Sequence, residues 1–580
     1  MKYLPAFMLI IGAWMTSCQS PSESQSPQAP LFGNLGDHRL EITTSSSLAQ
    51  QFFNQGLNLT YGFNHAEAGR SFREAIRLDS TCAMAYWGAA FVLGPNYNAG
   101  MEEEVKQPAV DYVQQAIARG ANAQPWEQAL IQALAARYNY AQTEDQAQLN
   151  EAYATAMHQV HQQFPEHDDI QTLYAESLMD LHPWDLYTRQ GVAKPWTPEI
   201  VRTIEDVLAR NPNHPGANHM YIHAVEASAR PDQGLASAER LGGLVPGSGH
   251  LVHMPSHIYI RTGHYHEGSL VNEAAIKVDS VYIDQCNAQG AYPLTYFPHN
   301  IHFLAATAAL EGRGEAAINA AYRVAAHTAV ELMREPGMET LQHYHMIPLY
   351  IMVKFGQWDE LLATEKPDDD LLYPVAVWHY AQGMAHAGKQ LLTEAKTHLD
   401  QLKVIQQDTL LPHITVWDIN SVDQLVDIAS LVLEAEINRK SGDVASAIAL
   451  LKEAVVIEDQ LNYNEPPDWF FSVRHPLGAA LLEAKQYAKA EAVYQEDLRF
   501  YPNNGWALNG LYHSLTGQNR LAEALDVKHQ FEEAWQHADI TLNTSEVQSI
   551  AYRHIDPNPT IATLLTDAAT LTLCGGTGSQ

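Results

Sequence analysis

The sequence predicts an all-α protein in which one pair of antiparallel helices is repeated along the chain. Small and aromatic residues recur at fixed offsets in segments that lie far apart. No segment has the sustained alternation of apolar and polar residues that would indicate a strand-rich domain. The chain has 580 residues, of which 46% are hydrophobic. This length exceeds one compact core and fits a repeat array or several domains.

The repeated spacing is clearest in residues 56–80 and 478–502. At offsets of 0, 12, 16 and 19 these segments hold Gly56, Ala68, Phe72 and Ala75, and then Gly478, Ala490, Tyr494 and Asp497. Related spacings occur in 256–279, 435–454 and 506–524. The pattern resembles the tetratricopeptide repeat, a helix pair of about 34 residues. The resemblance covers most of residues 41–540 and implies a right-handed superhelical α-solenoid with a concave groove.

The resemblance also divides the chain into regions. We expect an N-terminal helical array over 41–190, a histidine-rich array over 191–405 and a C-terminal array over 406–540. A tail without repeats follows over 541–580. Proline and tryptophan interrupt the helical pattern in 181–198, which predicts an ordered excursion from the helices, and in 463–469, which predicts another loop.

The N-terminus has the features of a secretion signal. Lys2 precedes an apolar run from Leu4 to Met15 that is too short to span a bilayer. The segment Met-Thr-Ser-Cys that ends at Cys18 resembles a bacterial lipobox. It implies a signal peptide over 1–17, lipidation of Cys18 and a flexible tether over 18–40. The alternative is an ordinary signal peptide followed by a chance cysteine. The lipobox predicts a lipoprotein at the bacterial cell envelope, on its periplasmic or cell-surface side, anchored to the membrane only by its lipid.

The composition argues against several classes of function. The chain has 34 Lys and Arg against 67 Asp and Glu, a formal net charge of -33. Such an excess repels a phosphate backbone and attracts cations, so nucleic acid is not an expected partner. The four cysteines, Cys18, Cys82, Cys286 and Cys574, are too dispersed for a disulfide framework or a thiolate zinc site. Gly-rich phosphate loops and the GxSxG and HExxH motifs are missing from the sequence.

Histidine is the unusual residue of this chain, with 28 copies. His219, His223 and Glu226 have the spacing i, i+4 and i+7, which places them on one face of a helix. His253 and His257 follow 34 residues after the first two. Equivalent positions of successive repeats lie side by side in a solenoid. These five residues are therefore a candidate site for a transition metal, namely zinc, iron, manganese, nickel or copper.

The family resemblance implies that this helix face lines the concave groove. Further histidines at or near the same stripe are assigned to the groove: His250, His299, His302, His343 and His475. The imidazoles would also suit acid–base or hydrogen-bond recognition of a polar ligand. A structural role is a third alternative, because several of them adjoin a proline that starts a helix.

Two functions follow from these observations. The resemblance implies a scaffold that holds a protein or polymer partner in its groove at the cell envelope. The alternative is a metal-binding protein or metalloenzyme that uses the histidine and glutamate cluster. The recurring His-x3-His pairs favour the alternative, because a groove that binds peptides has no special need for so many imidazoles.

Overall fold

The computed structural model describes residues 27–286 and 292–550. Its α-helices, in chain order, are α1 (Ser47–Tyr61), α2 (His65–Leu78), α3 (Ala83–Phe91), α4 (Lys106–Arg119), α5 (Pro125–Arg137), α6 (Gln146–Gln163), α7 (Asp168–Met179), α8 (Thr197–Arg210), α9 (Pro215–Glu226), α10 (Leu235–Leu244), α11 (Gly249–His253), α12 (Pro255–Thr262), α13 (Tyr265–Cys286), α14 (Phe297–Leu310), α15 (Gly314–His327), α16 (Thr340–Phe355), α17 (Trp358–Leu362), α18 (Leu372–Gly388), α19 (Leu392–Ile405), α20 (Val422–Lys440), α21 (Val444–Glu458), α22 (Arg474–Glu483), α23 (Tyr487–Phe500), α24 (Gly505–Gly517) and α25 (Leu521–Ala534). Short 3-10 turns lie at Glu103–Val105, Gly120–Asn122, Pro231–Gly234, Val330–Leu332 and Leu411–His413, and a π-helical turn spans Tyr292–Tyr296.

Strands are few and short in the described ranges. They are β1 (Thr415–Val416), β2 (Asn420–Ser421), β3 (Ile540–Leu542) and β4 (Val547–Ile550). β1 pairs with β2 and β3 pairs with β4, both antiparallel. The second pair follows the last helix, at the start of the segment that the sequence predicts to lack repeats.

The described chain is an all-α solenoid of helix pairs, as the sequence predicts. Helices that follow each other in the chain pack together through most of the array, for example α1 with α2, α14 with α15 and α20 with α21. Because short connections join them, such neighbours form antiparallel hairpins. No helix among the described residues has both the length and the apolar character needed to cross a bilayer.

The small and aromatic residues of the repeat pattern contact each other across the helix pairs. A Cβ atom on Gly56 in α1 would lie 2.7 Å from the ring of Phe72 in α2. A Cβ on Gly478 in α22 would lie 2.2 Å from the ring of Tyr494 in α23, and one on Gly510 in α24 would lie 2.1 Å from the same ring. Glycine therefore lets one helix approach the aromatic ring of the next, which is the packing that the tetratricopeptide resemblance implies.

The N-terminal predictions fall largely outside the described residues. The signal peptide over 1–17, the lipidation of Cys18 and residues 551–580 of the tail all lie there. The second half of the predicted tether is described, and there the structure corrects the prediction. Residues 27–40 lie against the first repeat: the Phe32 backbone N–H donates to Gln55 Oε1 at 2.8 Å, and Leu35 and Leu40 are buried. Burial of apolar side chains stabilises this segment against the helical array, so the segment packs there and is not a flexible tether.

Two large hydrophobic cores divide the described chain, and a small third one gathers Met333, Leu341 and Leu371. The first gathers side chains from Leu35 to Ile258, and the second gathers side chains from Ile260 to Ile540. They meet along α12, where buried polar side chains lie between them. The candidate metal residues of the sequence analysis belong to this polar junction.

Residues 459–473, between α21 and α22, fold back over the inner side of the solenoid, and we call them the covering loop. The Tyr463 hydroxyl donates to Glu226 Oε2 at 3.2 Å. The Phe470 ring stacks on His302 with a centroid distance of 5.3 Å. Near the histidines the inner face is therefore covered by the chain itself.

Candidate metal centre

Two helix starts at proline, Pro215 and Pro255, help to set the direction of the histidine side chains. Pro215 starts α9, and His214 caps it by accepting the Ala217 backbone N–H at Nδ1, at 3.1 Å. Every residue of α9 is buried, so its histidines face the interior. Pro255 separates α11 from α12, but Met254 keeps helical angles of φ -50° and ψ -34°. Successive histidines of this segment therefore stay on one side of the chain, one turn apart.

The first cluster, which we call the first triad, consists of His219, His223 and His250. One ligand atom from each lies within 4.8 Å of the other two, and the three side chains are at most 1% exposed. His219 Nδ1 donates to the backbone carbonyl of Tyr61 at 2.6 Å. Because a carbonyl only accepts, Nε2 of this neutral ring carries a lone pair.

His223 has the same arrangement as His219, whereas the ring of His250 has no hydrogen-bond partner among the described residues. His223 Nδ1 donates to Glu226 Oε1 at 2.7 Å, which leaves its Nε2 as an acceptor. Nε2 of His219, Nε2 of His223 and both ring nitrogens of His250 are buried without a hydrogen-bond partner among the described residues. In metal-binding histidines, one ring nitrogen faces the metal and the other donates a hydrogen bond to a neighbouring group.

The second cluster, the second triad, consists of His253, His257 and His299, whose ligand atoms also lie within 4.8 Å of one another. Asn272 Nδ2 donates to the Gly268 carbonyl, so its Oδ1 faces His253 Nδ1, at 2.6 Å. His257 Nδ1 lies 2.6 Å from Glu226 Oε2. The Nε2 atoms of His253 and His257 are 3.0 Å apart.

Glu226 joins the two triads. One of its oxygens accepts from His223 in the first triad, and the other accepts from His257 in the second. Burial raises the pKa of the Glu226 carboxyl, but the two imidazoles outweigh burial and hold that pKa below its usual value. Glu226 is therefore a buried carboxylate that orients one ring of each triad. The rings of His223 and His257 have centroids 5.5 Å apart, so the triads are adjacent.

Burial makes five imidazoles of the triads poor bases. Burial lowers the pKa of His219, His250, His253 and His299 well below the usual histidine value, and neighbouring imidazoles lower it further. Burial also lowers the pKa of His223, although Glu226 opposes the shift. Neutral imidazole is the form that binds metals, so these rings need not lose a proton at neutral pH.

The structure thus brings the five predicted metal residues together and divides them between two adjacent clusters. The sequence predicts one shared site with Glu226 among its ligands, and Glu226, His223 and His257 do form a further group whose ligand atoms lie within 4.8 Å of one another. His250 and His299, which are assigned to the groove from the sequence, lie in the two triads. Both oxygens of Glu226 contact ring Nδ1 atoms, an arrangement that suits an outer partner holding the ligands.

The remaining groove histidines lie elsewhere and are buried. His302 and His343 have ring centroids 6.0 Å apart, and His343 Nδ1 contacts the Tyr373 hydroxyl at 2.7 Å. His475 lies between Lys354 Nζ, at 2.9 Å, and Asp497 Oδ2, at 3.0 Å. His343 and His475 thus have hydrogen-bond partners of their own, and His302 Nε2 is buried without one among the described residues.

A third polar cluster, His38, Asp169 and His214, was missed by the sequence analysis. Asp169 Oδ1 lies 2.9 Å from His38 Nε2 and 3.4 Å from His214 Nε2, and it accepts from the Tyr61 hydroxyl at 2.7 Å. Here His38 and the Tyr61 hydroxyl hydrogen-bond to a carboxylate, while His214 Nε2 lies near it without a hydrogen bond. The cluster ties residues 27–40 to α7 and α9. Asp169 is 131 residues from His38 and 45 residues from His214 in the sequence. No local spacing therefore connects the three residues.

Several other residues of the site have no short-range sequence signal. Asn272 belongs to α13, and Tyr463 and Glu465 belong to the covering loop. Glu465 Oε2 lies 3.6 Å from His257 Nδ1, and burial followed by repulsion from Glu226 raises the pKa of its carboxyl well above the usual value. The Pro-Pro-Asp-Trp segment that follows predicts a loop here, but only the fold shows that this loop lies over the triads.

Comparisons with known proteins leave the family open. No protein-family model matches the chain, and no curated protein matches it. Among solved structures, it is similar to the human IFIT1 dimer with m7Gppp-AAAA, with 14% identity, coverage of 85% of this chain and 91% of that chain, and a TM-score of 0.30. It is also similar to the APC/C hetero-tetramer Cut9-Hcn1, with 13% identity, coverage of 84% and 76%, and a TM-score of 0.27.

Proposed function

We propose that this helical-repeat protein binds a pair of transition-metal ions, one in each triad. The observation that carries the proposal is the convergence of three imidazole nitrogens in each triad, together with hydrogen bonds that hold Nδ1 of His219, His223, His253 and His257. In the first triad the converging nitrogens are buried without a partner among the described residues, which is costly because unpaired polar atoms lose their hydration. A cation at each triad would bind the converging nitrogens.

The chemistry of the ligand atoms narrows the choice of metal. Each triad offers three imidazole nitrogens, and the nearby carboxylate is engaged by ring N–H groups. Imidazole suits zinc, copper, iron and nickel, whereas manganese prefers oxygen ligands. We therefore propose zinc, copper, iron or nickel. Three protein ligands leave a coordination position open, and a bound ion would supply Lewis-acid or, for copper and iron, redox chemistry there.

The proposal includes the cell envelope as the location, through the lipobox at Cys18. The other predicted function, a scaffold for a protein or polymer partner, stays a prediction. The covering loop fills the inner face in front of the triads, which leaves room beside them for a small molecule more than for a polymer chain. This packing favours the metal proposal for this part of the solenoid.

Elemental analysis of the untagged protein tests the proposal. We expect about two metal ions per chain after purification or reconstitution. The His219→Ala/His253→Ala double variant should lose both ions. The matched control is His264→Ala, because His264 is an exposed histidine outside the triads. Absence of bound metal after exposure to zinc, copper, iron and nickel, or retention of both ions by the double variant, would refute the proposal.

A further inference from the structure

A cavity of about 400 Å³ opens beside the first triad. Its walls come from the excursion at 183–194, the turn at 418–419 and the covering loop at 462–463. His223 and Glu226 form its inner wall. The cavity therefore reaches the ring of a proposed metal ligand, while its outer walls belong to three loops.

Four aromatic side chains line this cavity, together with polar ones. The aromatic residues are Tyr97, Trp184, Tyr187 and Tyr463, and we call the space the aromatic cavity. The rings of Tyr97 and Trp184 stack with centroids 5.5 Å apart. Both also contact the His223 ring, with centroid distances of 5.2 and 5.7 Å. A continuous aromatic surface thus leads from the cavity to the first triad.

The polar groups of the aromatic cavity have an uneven distribution. Asp185, Thr188, Asp418 and Asn462 are exposed and lie at its rim. At the rim Lys194 also pairs with Asp185. Arg189 also lines the cavity, half-buried, and its guanidinium donates to the Leu461 carbonyl. The other polar groups of the inner side are those of His223, Glu226 and the Tyr463 hydroxyl that donates to Glu226. A ligand with an apolar ring and one polar end would therefore place that end toward the triad.

We propose that the aromatic cavity binds a small phenol-class molecule, with its ring against Tyr97 and Trp184 and its hydroxyl oxygen toward the metal of the first triad. The volume lies at the lower end of the range for small-molecule pockets, so it fits one or two rings and excludes a polymer chain. Aromatic rings favour offset or edge contacts with such walls. A phenolic oxygen would take the open position that three imidazoles leave. This inference rests on the proposed metal function.

Titration with 4-nitrocatechol tests the inference in the full chain, both metal-free and zinc-loaded. Absorption reports the ionisation of the probe, and tryptophan fluorescence reports its contact with Trp184. We expect zinc to tighten binding by about tenfold or more. Trp184→Ala and Tyr187→Ala should each weaken binding by about tenfold without loss of zinc, because they remove a wall of the cavity and no ligand. Trp126→Ala is the matched control, since that ring packs on His167 outside the cavity.

The possible outcomes separate the two proposals. Circular dichroism checks that wild type, Trp184→Ala and Tyr187→Ala are folded. If the three folded proteins bind the probe with equal affinity, the proposed binding in the aromatic cavity is overturned and the metal proposal stays in place. Zinc that binds without any effect on probe affinity would overturn the placement of the phenol oxygen. Failure to bind any metal would overturn the metal function. In that case the titration of metal-free protein decides by itself whether the aromatic walls bind the ring.

Discussion

Nε2 of His253 lies 3.0 Å from Nε2 of His257, while Nδ1 of each ring faces an acceptor at 2.6 Å. Asn272 Oδ1 and the Glu226 carboxylate are those acceptors, so Nδ1 of each ring carries a proton. With both rings in the neutral form that binds metals, two lone pairs face each other inside the protein. A cation between or beside them converts a repulsive contact into coordination. This relationship separates the second triad from an ordinary pair of hydrogen-bonded core histidines.

Substitution of Glu226 tests its role as the link between the triads. In Glu226→Gln, one carboxylate oxygen becomes an NH2 group, which cannot accept from a ring N–H. We expect metal affinity to fall by about 10- to 100-fold, the effect typical of lost outer-sphere partners. Competition titration with a chelator measures the change. Glu205→Gln, in an exposed residue that accepts from the Tyr221 hydroxyl, should keep wild-type affinity. Unchanged affinity in Glu226→Gln would show that the carboxylate does not support the ligands.

Removal of metal should destabilise the protein. An ion that binds only the folded chain adds about 4 kcal/mol to its stability when its free concentration is about 1,000 times the dissociation constant. We expect chelation to lower the thermal midpoint of wild type and to leave that of His219→Ala/His253→Ala unchanged. Differential scanning calorimetry with and without chelator gives both values. A midpoint that does not respond to chelation in wild type contradicts the prediction.

Glycine at the helix contact tests the repeat packing. In Gly478→Ala the new methyl group would lie 2.2 Å from Cζ of Tyr494, so α22 and α23 must separate. We expect a loss of about 1–3 kcal/mol in the free energy of unfolding, the usual effect of overpacking. Gly243→Ala in α10 is the control, because a Cβ there meets no atom within 4 Å. That variant should be neutral or slightly more stable. Thermal midpoints that fall equally in the two variants would contradict this account of the glycine.

Lys354 predicts a pH dependence of stability away from the triads. Burial lowers the pKa of its amine to about 7, although the charges of Asp497 and Glu546 raise that pKa in part. The unfolded chain, with a pKa near 10.4, binds this proton over the interval where the folded chain has lost it. Stability therefore rises with pH from about 7 to about 10, by at most about 1.4 kcal/mol per pH unit.

The Lys354→Met variant isolates this effect. Thermal midpoints of wild type and variant at pH 7, 8 and 9 should differ in slope, with the steeper rise in wild type. Other titrating groups contribute to both proteins and cancel in the comparison. Parallel curves would show that the Lys354 amine keeps its proton in the folded protein.

Much of the fold follows from local patterns in the sequence. The spacing of Gly56 and Phe72, and of Gly478 and Tyr494, predicts helix pairs because a glycine must face a ring for two helices to pack closely. The spacing of His219 and His223, and of His253 and His257, predicts that these rings share one side of adjacent repeats. Both inferences use helical geometry over a few turns, which sequence distance reports directly.

Only the tertiary structure decided how those histidines are grouped. The division into two triads depends on His250, one turn before His253, and on His299, which reaches the site from α14. It also depends on Glu226, whose two oxygens each face a ring of a different triad. The Tyr61 carbonyl that fixes the His219 ring is 158 residues away, and the Tyr463 hydroxyl on Glu226 is 237 residues away. The sequence by itself determined a helical-repeat solenoid and a stripe of imidazoles. Long-range packing determined which nitrogen of each ring stays free, because hydrogen-bond partners fix the proton and those partners come from distant parts of the chain.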